Sequence, residues 1–387
     1  MALSPKELPH ASRRLAAAAL SCAVMCIVAT PIFADTASSQ PSTAPAEMTA
    51  AKLRDAGYAY EIGNGIPQDY HKAMKLYRRA ADAGDGKAMT LVGMLYCNGL
   101  GVPKDDATAL SWFRRAAEGG TPRAMFLVGY CYEMGQGVSP DNANAMSWFH
   151  KADEAGEASA AERIGDLYLN GKGVAQDDAQ AATWFAKGAE EGNSAAMLGL
   201  GAMYDHGMGV PQDYAKAMQW YQKSFDAGCP LAAKSIGVLY VNGRGIPTDN
   251  AQAMNWFQKG ANAGDGAAMT RIGLLYAYGL GVTKDHVNAM VWFRRAAEAG
   301  DLQGTTNLAD GYIRGDGVAQ DYSKGLFWYR RAADAGSVDA NFAIGLLYED
   351  GLGVPKDHKQ AVALTRIAAA AGNKSAGKWL ADHGEVN

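Results

Sequence analysis

The feature that most restricts the fold of this chain is a strict internal period. The pattern G-x-G-[VI]-x-x-D recurs with its first glycine at Gly63, Gly99, Gly135, Gly171, Gly207, Gly243, Gly279, Gly315 and Gly351, every 36 residues and without one insertion or deletion. A period of this length implies a repeat architecture, in which each unit buries little alone and shares its core with its neighbours. The repeats run from about Ala51 to Gly372 of 387 residues, so one array accounts for nearly all of the chain and a set of ordinary globular domains is excluded. Composition agrees. There are 46 glycines beside only 13 prolines, which marks one turn used many times rather than collagen or a Pro-rich linker.

Comparing the copies with one another shows what each position does. A tyrosine stands three residues before each first glycine, from Tyr60 through Tyr348, and a glycine stands three before each tyrosine, from Gly57 through Gly345, except for Ala309. A small residue such as Ala88 or Ala124 precedes that glycine by five. This spacing lays small and aromatic groups along one side of a helix, helix A, and lets a neighbouring helix approach closely. The first glycine of the turn then supplies a left-handed C-terminal position and the second relieves the turn. The Asp of each copy, from Asp69 to Asp357, is placed to cap a second helix, helix B. The inward face of helix B is expected to carry a small residue (Ala73, Ala109, Ala145), then Trp112, Trp148, Trp184, Trp220, Trp256, Trp292 or Trp328, then small pairs such as Ala116 and Ala117, before a stop such as Gly120. Leu76 and Leu364 replace the Trp in the terminal copies, where a neighbour covers only one side.

The combined pattern, A-x(3)-[LVI]-G-x-[LM]-Y-x(2)-G-x-G-V-x(2)-D-x(3)-A-x(2)-W-[FY]-x-[RK]-A-A-x(2)-G, resembles the Sel-like (Sel-one-like) repeat, a helical-hairpin relative of the tetratricopeptide repeat. Residues Ala88 through Gly120 match it almost residue for residue. The resemblance implies an all-α fold, a right-handed α-solenoid of about nine 36-residue helix-turn-helix repeats with the A helices lining its concave side. Repeat eight departs most, with Gly304, Thr306, Asn307, Ala309 and Gly325 in columns that are otherwise bulkier or of the opposite kind.

Residues 1–34 read as a secretory signal: Lys6, Arg13 and Arg14 precede an apolar run from Leu15 to Phe33, and Ala34 offers a cleavage point. Ser12-Arg13-Arg14-Leu15 also resembles the start of a twin-arginine signal, and a retained anchor is the structural alternative. Residues 35–50 form a flexible leader, 51–382 the array with a capping half-repeat around Trp379, and 383–387 a tail. Export to a bacterial periplasm or beyond is expected, with no stable membrane insertion after cleavage. Removing residues 1–34 takes the count from 36 basic and 40 acidic side chains to 33 and 39, a net charge of -6. Nucleic acid is therefore not an expected partner, since phosphate binding needs a concentrated basic surface.

Repeated residues imitate catalytic motifs without their chemistry. The glycine turn lacks the Lys-Ser/Thr of a phosphate loop, and the nine Asp residues are each a full repeat apart, too far for paired acid–base work. The histidines have no metal-ligand spacing. Cys97, Cys131 and Cys229 form no C-x-x-C motif, and the sequence has none of the paired cysteines found in the cysteine-rich penicillin-binding and β-lactam-hydrolysing members of the resembling family. No catalytic, metal or cofactor site is expected. The basic column Arg79, Arg115, Lys151, Lys187, Lys223, Lys259, Arg295 and Arg331 is expected to pair with acids three residues later.

Columns that vary between copies are free of the stack and are the place for recognition. On helix A these stand six before, two before and two after the tyrosine, four apart and on one stripe. The candidates for partner binding on it are Tyr58, Met94, Phe126, Tyr130, Met134, Asp166, Leu274 and Tyr278. Aromatic and Met side chains suit a peptide or protein contact. The function expected is an exported, non-enzymatic scaffold that binds a protein or extended peptide on its concave helix-A surface, in envelope assembly, signalling or host interaction. The alternative is a cell-wall or β-lactam-binding or hydrolysing repeat protein.

Overall fold

The computed structural model describes residues 49–385; the expected signal and nearly all of the leader lie outside the described residues. Among the described residues there are nineteen α-helices and no strand. They fall into two compact units that part between Cys229 and Pro230. The first holds α1 (Ala50–Ile62), α2 (Tyr70–Asp82), α3 (Gly86–Asn98), α4 (Asp106–Glu118), α5 (Pro122–Met134), α6 (Asn142–Glu154), α7 (Ser159–Asn170), α8 (Asp178–Glu190), α9 (Ser194–His206) and α10 (Tyr214–Asp226). The second holds α11 (Ala232–Asn242), α12 (Asn250–Asn262), α13 (Gly266–Tyr278), α14 (His286–Glu298), α15 (Leu302–Arg314), α16 (Tyr322–Asp334), α17 (Val338–Asp350), α18 (His358–Ala370) and α19 (Lys374–Asp382). Each odd helix up to α17 is a helix A paired with the helix B that follows it, and the pairs stack in sequence within each unit, the α-solenoid arrangement. The parting point has a local mark. Helix α11 follows Pro230, is shorter than its counterparts, and begins at Leu231 without the side-chain cap that Asp265 gives α13.

The turn works as its residues dictate. The nine first glycines adopt φ between 63° and 76°, and each following Asp accepts a backbone N–H of the next helix, as Asp69 does from Lys72 at 3.0 Å. The same Asp donates its own N–H to the helix-A tyrosine carbonyl, Asp69 to Tyr60 at 2.9 Å, in every repeat. The second glycine serves a further purpose that the sequence did not reveal. A Cβ on Gly137 would lie 2.3 Å from the carbonyl oxygen of Asp106, at the start of α4 in the previous repeat. The turn of one repeat thus rests on helix B of the one before. Gly65, in the first repeat, has nothing within 4 Å of that point.

The core corrects the expected aromatic column. The most deeply buried ring on helix B is the residue after the Trp column: Tyr77, which follows Leu76, then Phe113, Phe149, Phe185, Tyr221, Phe257, Phe293 and Tyr329. Each such burial contributes about 1.5–3 kcal/mol. The helix-A glycine exists for this ring, since a Cβ on Gly93 would stand 2.5 Å from the Phe113 ring. In repeat eight the small residues are exchanged: Ala309 replaces that glycine, while Gly325 replaces the helix-B alanine and admits Ile313, 2.3 Å from where its Cβ would be.

Most of the Trp side chains stand at the edge of the core, while Trp256 and Trp328 are buried in it as expected, and the basic column lies over them. Lys259 Nζ is 3.6 Å from the Trp256 ring centre, Lys223 4.2 Å from Trp220 and Arg295 4.2 Å from Trp292. The ring face attracts the cation, so the partner three residues before takes the place of the expected acid three residues after. The neighbouring arginines Arg114, Arg294 and Arg330 donate instead to the tyrosine hydroxyl of the next repeat. At the end of the second unit α19 stacks Trp379 on His383 at 4.0 Å and brings Glu385 3.7 Å from His358.

Candidate functional site

The helix-A stripe divides into columns with different duties. The column six residues before the tyrosine belongs to the stack: Thr90, Phe126, Glu162, Leu198 and Thr270 are all buried. It reaches toward the start of the next helix A. Arg54 donates to Asp85 at 2.7 Å and Thr270 to Asp301 at 2.6 Å, each acceptor being the cap of the following A helix. Variable residues of this column thus have partners in the next repeat, which is why comparing copies mistakes it for a free surface. Phe126 is the clearest correction among the candidates. It is 0% exposed, with its ring 5.4 Å from that of Phe149, and it is a core side chain.

The other two columns reach the surface to different depths. Two before the tyrosine, Tyr58, Met94, Tyr130 and Leu274 are half-buried. Two after it, Met134 is 51% and Tyr278 70% exposed, and Ile62 is 50% exposed beside them in type. The structure brings Tyr130 and Met134 together on α5, and Leu274 and Tyr278 together on α13, in separate units.

Asp166 lies in a buried charge cluster instead of forming an open acidic step. On α7, Glu162 is 0%, Arg163 4% and Asp166 8% exposed, and Glu133 of α5 joins them. Arg163 stands 3.5 Å from Glu162, 3.7 Å from Asp166 and 3.9 Å from Glu133, and its guanidinium lies 5.7 Å from the Tyr130 ring centre. Three carboxyl groups share one cation, and both oxygens of Glu162 and one of Asp166 lack a hydrogen bond. Burial, then the neighbouring Glu162, pushes the Asp166 carboxyl well above the ordinary range; burial also raises Glu162. Burial opposes the charge on Arg163, but the surrounding carboxylates outweigh it and raise its pKa. Sequence reasoning missed Glu133, Glu162 and Arg163; the signal was E-R-x-x-D on a helix A whose counterparts carry apolar residues.

A second feature is a cavity of about 260 Å³ in the second unit, at the meeting of α13, α14 and α15. Leu274 and Tyr278 form part of its wall. Among the described residues no group of three His, Cys, Asp or Glu is placed to hold a metal ion, and no helix is long and apolar enough to cross a membrane. Cys97 and Cys131 are free thiols.

Stacked helical hairpins with a glycine turn, an Asp cap and an aromatic–glycine lock define a helical repeat protein of the tetratricopeptide-like class. The Sel1 repeat family model matches residues 50–85, 86–121, 122–156, 158–193, 194–229, 230–265, 266–301, 303–337 and 338–373, and the chain belongs to the Sel1 repeat family. It is similar to a Sel1 repeat protein from Oxalobacter formigenes, with 29% identity over 92% of this chain and 98% of that one and a TM-score of 0.59. It is also similar to a protective antigen with an SLR fold present in uropathogenic Escherichia coli strains, with 30% identity over 85% of this chain and 78% of that one and a TM-score of 0.52. A comparison with curated proteins gave no match. Sel1 repeat proteins are in general non-enzymatic scaffolds for protein interactions.

Proposed function

We propose that this chain is an exported, non-enzymatic scaffold that holds a protein or extended peptide along its helix-A surface, in the bacterial periplasm or outside the cell. The observation that carries the reading is the exposure of Met134 and Tyr278. Both occupy a column that in other repeats carries Asn98, Asn170 or Asn242, so the stack does not require an apolar group there. Large side chains kept in water without a packing duty are the composition of a contact surface. In the first unit the half-buried Tyr58, Met94 and Tyr130 supply the floor beside Met134, with Phe126 and Asp166 below, and in the second unit the half-buried Leu274 stands beside Tyr278. Lys6, Arg13 and Arg14 ahead of the Leu15–Phe33 run support export.

The test places a photo-crosslinking residue at position 134 or 278 in the native host, with Ser111 and Asn255, both exposed on helix B, as control positions. Discrete adducts are expected from 134 and 278 and none from the controls. Adducts of equal yield from all four positions, or none from 134 and 278, sink the placement. Cell fractionation with N-terminal sequencing is expected to find the chain outside the cytoplasm and shortened to near Ala34; an intact cytoplasmic chain refutes export.

A further inference from the structure

The cavity of the second unit exists because repeat eight lacks a side chain. The residue just before the helix-A tyrosine is Leu95, Cys131, Leu167, Met203, Leu239, Leu275 or Leu347 in seven other repeats and is buried in each; the first repeat has Ala59, and repeat eight has Gly311. A Cβ there would lie 2.2 Å from Met290 Sδ, so the Met290 thioether occupies part of the space that a side chain would take. About 260 Å³ remains. An apolar cavity of about 150 Å³ holds benzene, so the space takes one leucine-, methionine- or phenylalanine-sized side chain with some backbone, and no drug-sized molecule.

Two polar groups of the wall, Asn307 and Lys284, offer unused donors. Asn307 has its amide oxygen occupied by Gln303 Nε2 at 3.1 Å, which leaves its buried Nδ2 without a partner. Lys284 makes no ion pair among the described residues and faces the same space. The acceptor opposite, Asp316, is already held by Arg314 at 3.0 Å. An orphaned buried N–H costs about 1–3 kcal/mol, and a ligand that supplies an oxygen removes that cost. A cavity with an apolar floor and spare donors at its rim accepts an apolar side chain flanked by a carbonyl and a carboxylate.

We propose that this cavity takes one leucine, methionine or phenylalanine side chain of an extended peptide, with the peptide carbonyl on Asn307 Nδ2 and an adjacent Asp or Glu of the peptide on Lys284. The proposal rests on the helix-A reading above, because Tyr278 and Leu274 belong both to that surface and to the cavity wall. Tyr278, exposed at the mouth, covers the inserted residue. Sequence-level comparison places the feature in repeat eight alone, so the peptide is read in one register.

The test uses the full chain with ¹³C-methyl methionine, in which the Met290 methyl reports the cavity directly. The probe is an acetylated and amidated heptapeptide, Gly-Ala-Leu-Glu-Ala-Ala-Gly. A saturable shift of the Met290 signal is expected. Replacing the peptide Glu by Gln, or Lys284 by Gln in the protein, is expected to weaken binding about threefold to fivefold, as for an exposed ion pair, and combining the two changes adds nothing. Replacing the peptide Leu by Ala removes the shift. Gly311→Leu restores the side chain that other repeats carry and abolishes binding; Asn307→Ala, which leaves the helix stack unfilled but intact, weakens it in parallel. No Met290 shift with the capped peptide, or undiminished binding by Gly311→Leu and Asn307→Ala, overturns the proposal. So does equal binding of an uncapped peptide that lacks Glu, which would make a free chain end the occupant. Crosslinks from position 134 in the other unit do not depend on the cavity, so their persistence with a silent Met290 rejects this inference alone.

Discussion

Two glycines of the first unit share a backbone conformation and differ only in what surrounds them. Gly120 ends α4 with φ 83° and nothing within 4 Å of a built Cβ; Gly137, in the following turn, has φ 70° and a Cβ position 2.3 Å from Asp106 O, 2.5 Å from its carbonyl carbon and 2.7 Å from Ala107 N. Alanine at either site meets a left-handed cost of about 1–2 kcal/mol, offset by about 0.4–1 kcal/mol through the reduced freedom of the unfolded chain. Gly120→Ala is therefore expected to lose about 1 kcal/mol. Gly137→Ala carries the same balance plus a clash with backbone, which cannot rotate away as a side chain does. Overpacking adds about 1–3 kcal/mol, for a total of about 2–4 kcal/mol. Urea denaturation of the full chain, followed by circular dichroism with hydrogen exchange of the amides in α4 and α5 as the local readout, compares the two. Equal losses at both sites refute the idea that the second turn glycine is required by contact between repeats. A large loss at Gly120 refutes it as well, since that result would place the cost in backbone conformation.

The buried charge cluster makes the first unit less stable as pH rises toward neutral. The Asp166 carboxyl is raised from its ordinary value of 3.8 by burial and by Glu162; the folded chain then holds a proton that the unfolded chain has lost, and stability falls as pH rises through the folded value. The contribution is complete below the unfolded value and declines above it, by at most about 1.4 kcal/mol per pH unit for one proton. Asp166→Asn is expected to raise stability at pH 8 by on the order of 1–3 kcal/mol and to leave it unchanged near pH 3.5; a loss of stability at pH 8 contradicts the reading. The Cys131 thiol, pushed up to about 12 by burial and then by its neighbour Cys97, is expected to resist alkylation at pH 8 until the unit unfolds. Peptide mapping that finds Cys131 modified within minutes in the native chain contradicts this.

The turn and the caps were legible because they depend on one residue each: a left-handed backbone needs glycine, and an exposed helix start needs an acceptor. The aromatic core was half legible. Trp112 and Phe113 are adjacent, and about 100° of helix rotation separates them. Phe113 is the one in register with Ala109, Leu110, Ala116 and Ala117, all buried, and that spacing was visible in the sequence. The prominence of the repeated Trp obscured it, although that ring is only partly covered in five of the seven copies and is finished by the cation above. The candidate site was less legible, for a physical reason. Arg54 with Asp85 and Thr270 with Asp301 pair across a junction, so a variable column is not a free one until its neighbour is known. The cavity at Gly311 and the donors around it depend on three helices meeting, which no single repeat records.

The contact between each turn glycine and the preceding helix B sets a gauge along the stack. Every junction within a unit uses the same seat, so a whole repeat can be removed or copied and the new junction closes as the old one did. An addition of any other length leaves the glycine beside a side chain it cannot clear. The chain therefore changes length in steps of 36 residues. A feature such as Gly311 keeps its distance from others in its own unit only while the number of repeats between them is kept, so a ligand that spans two features of one unit measures the count.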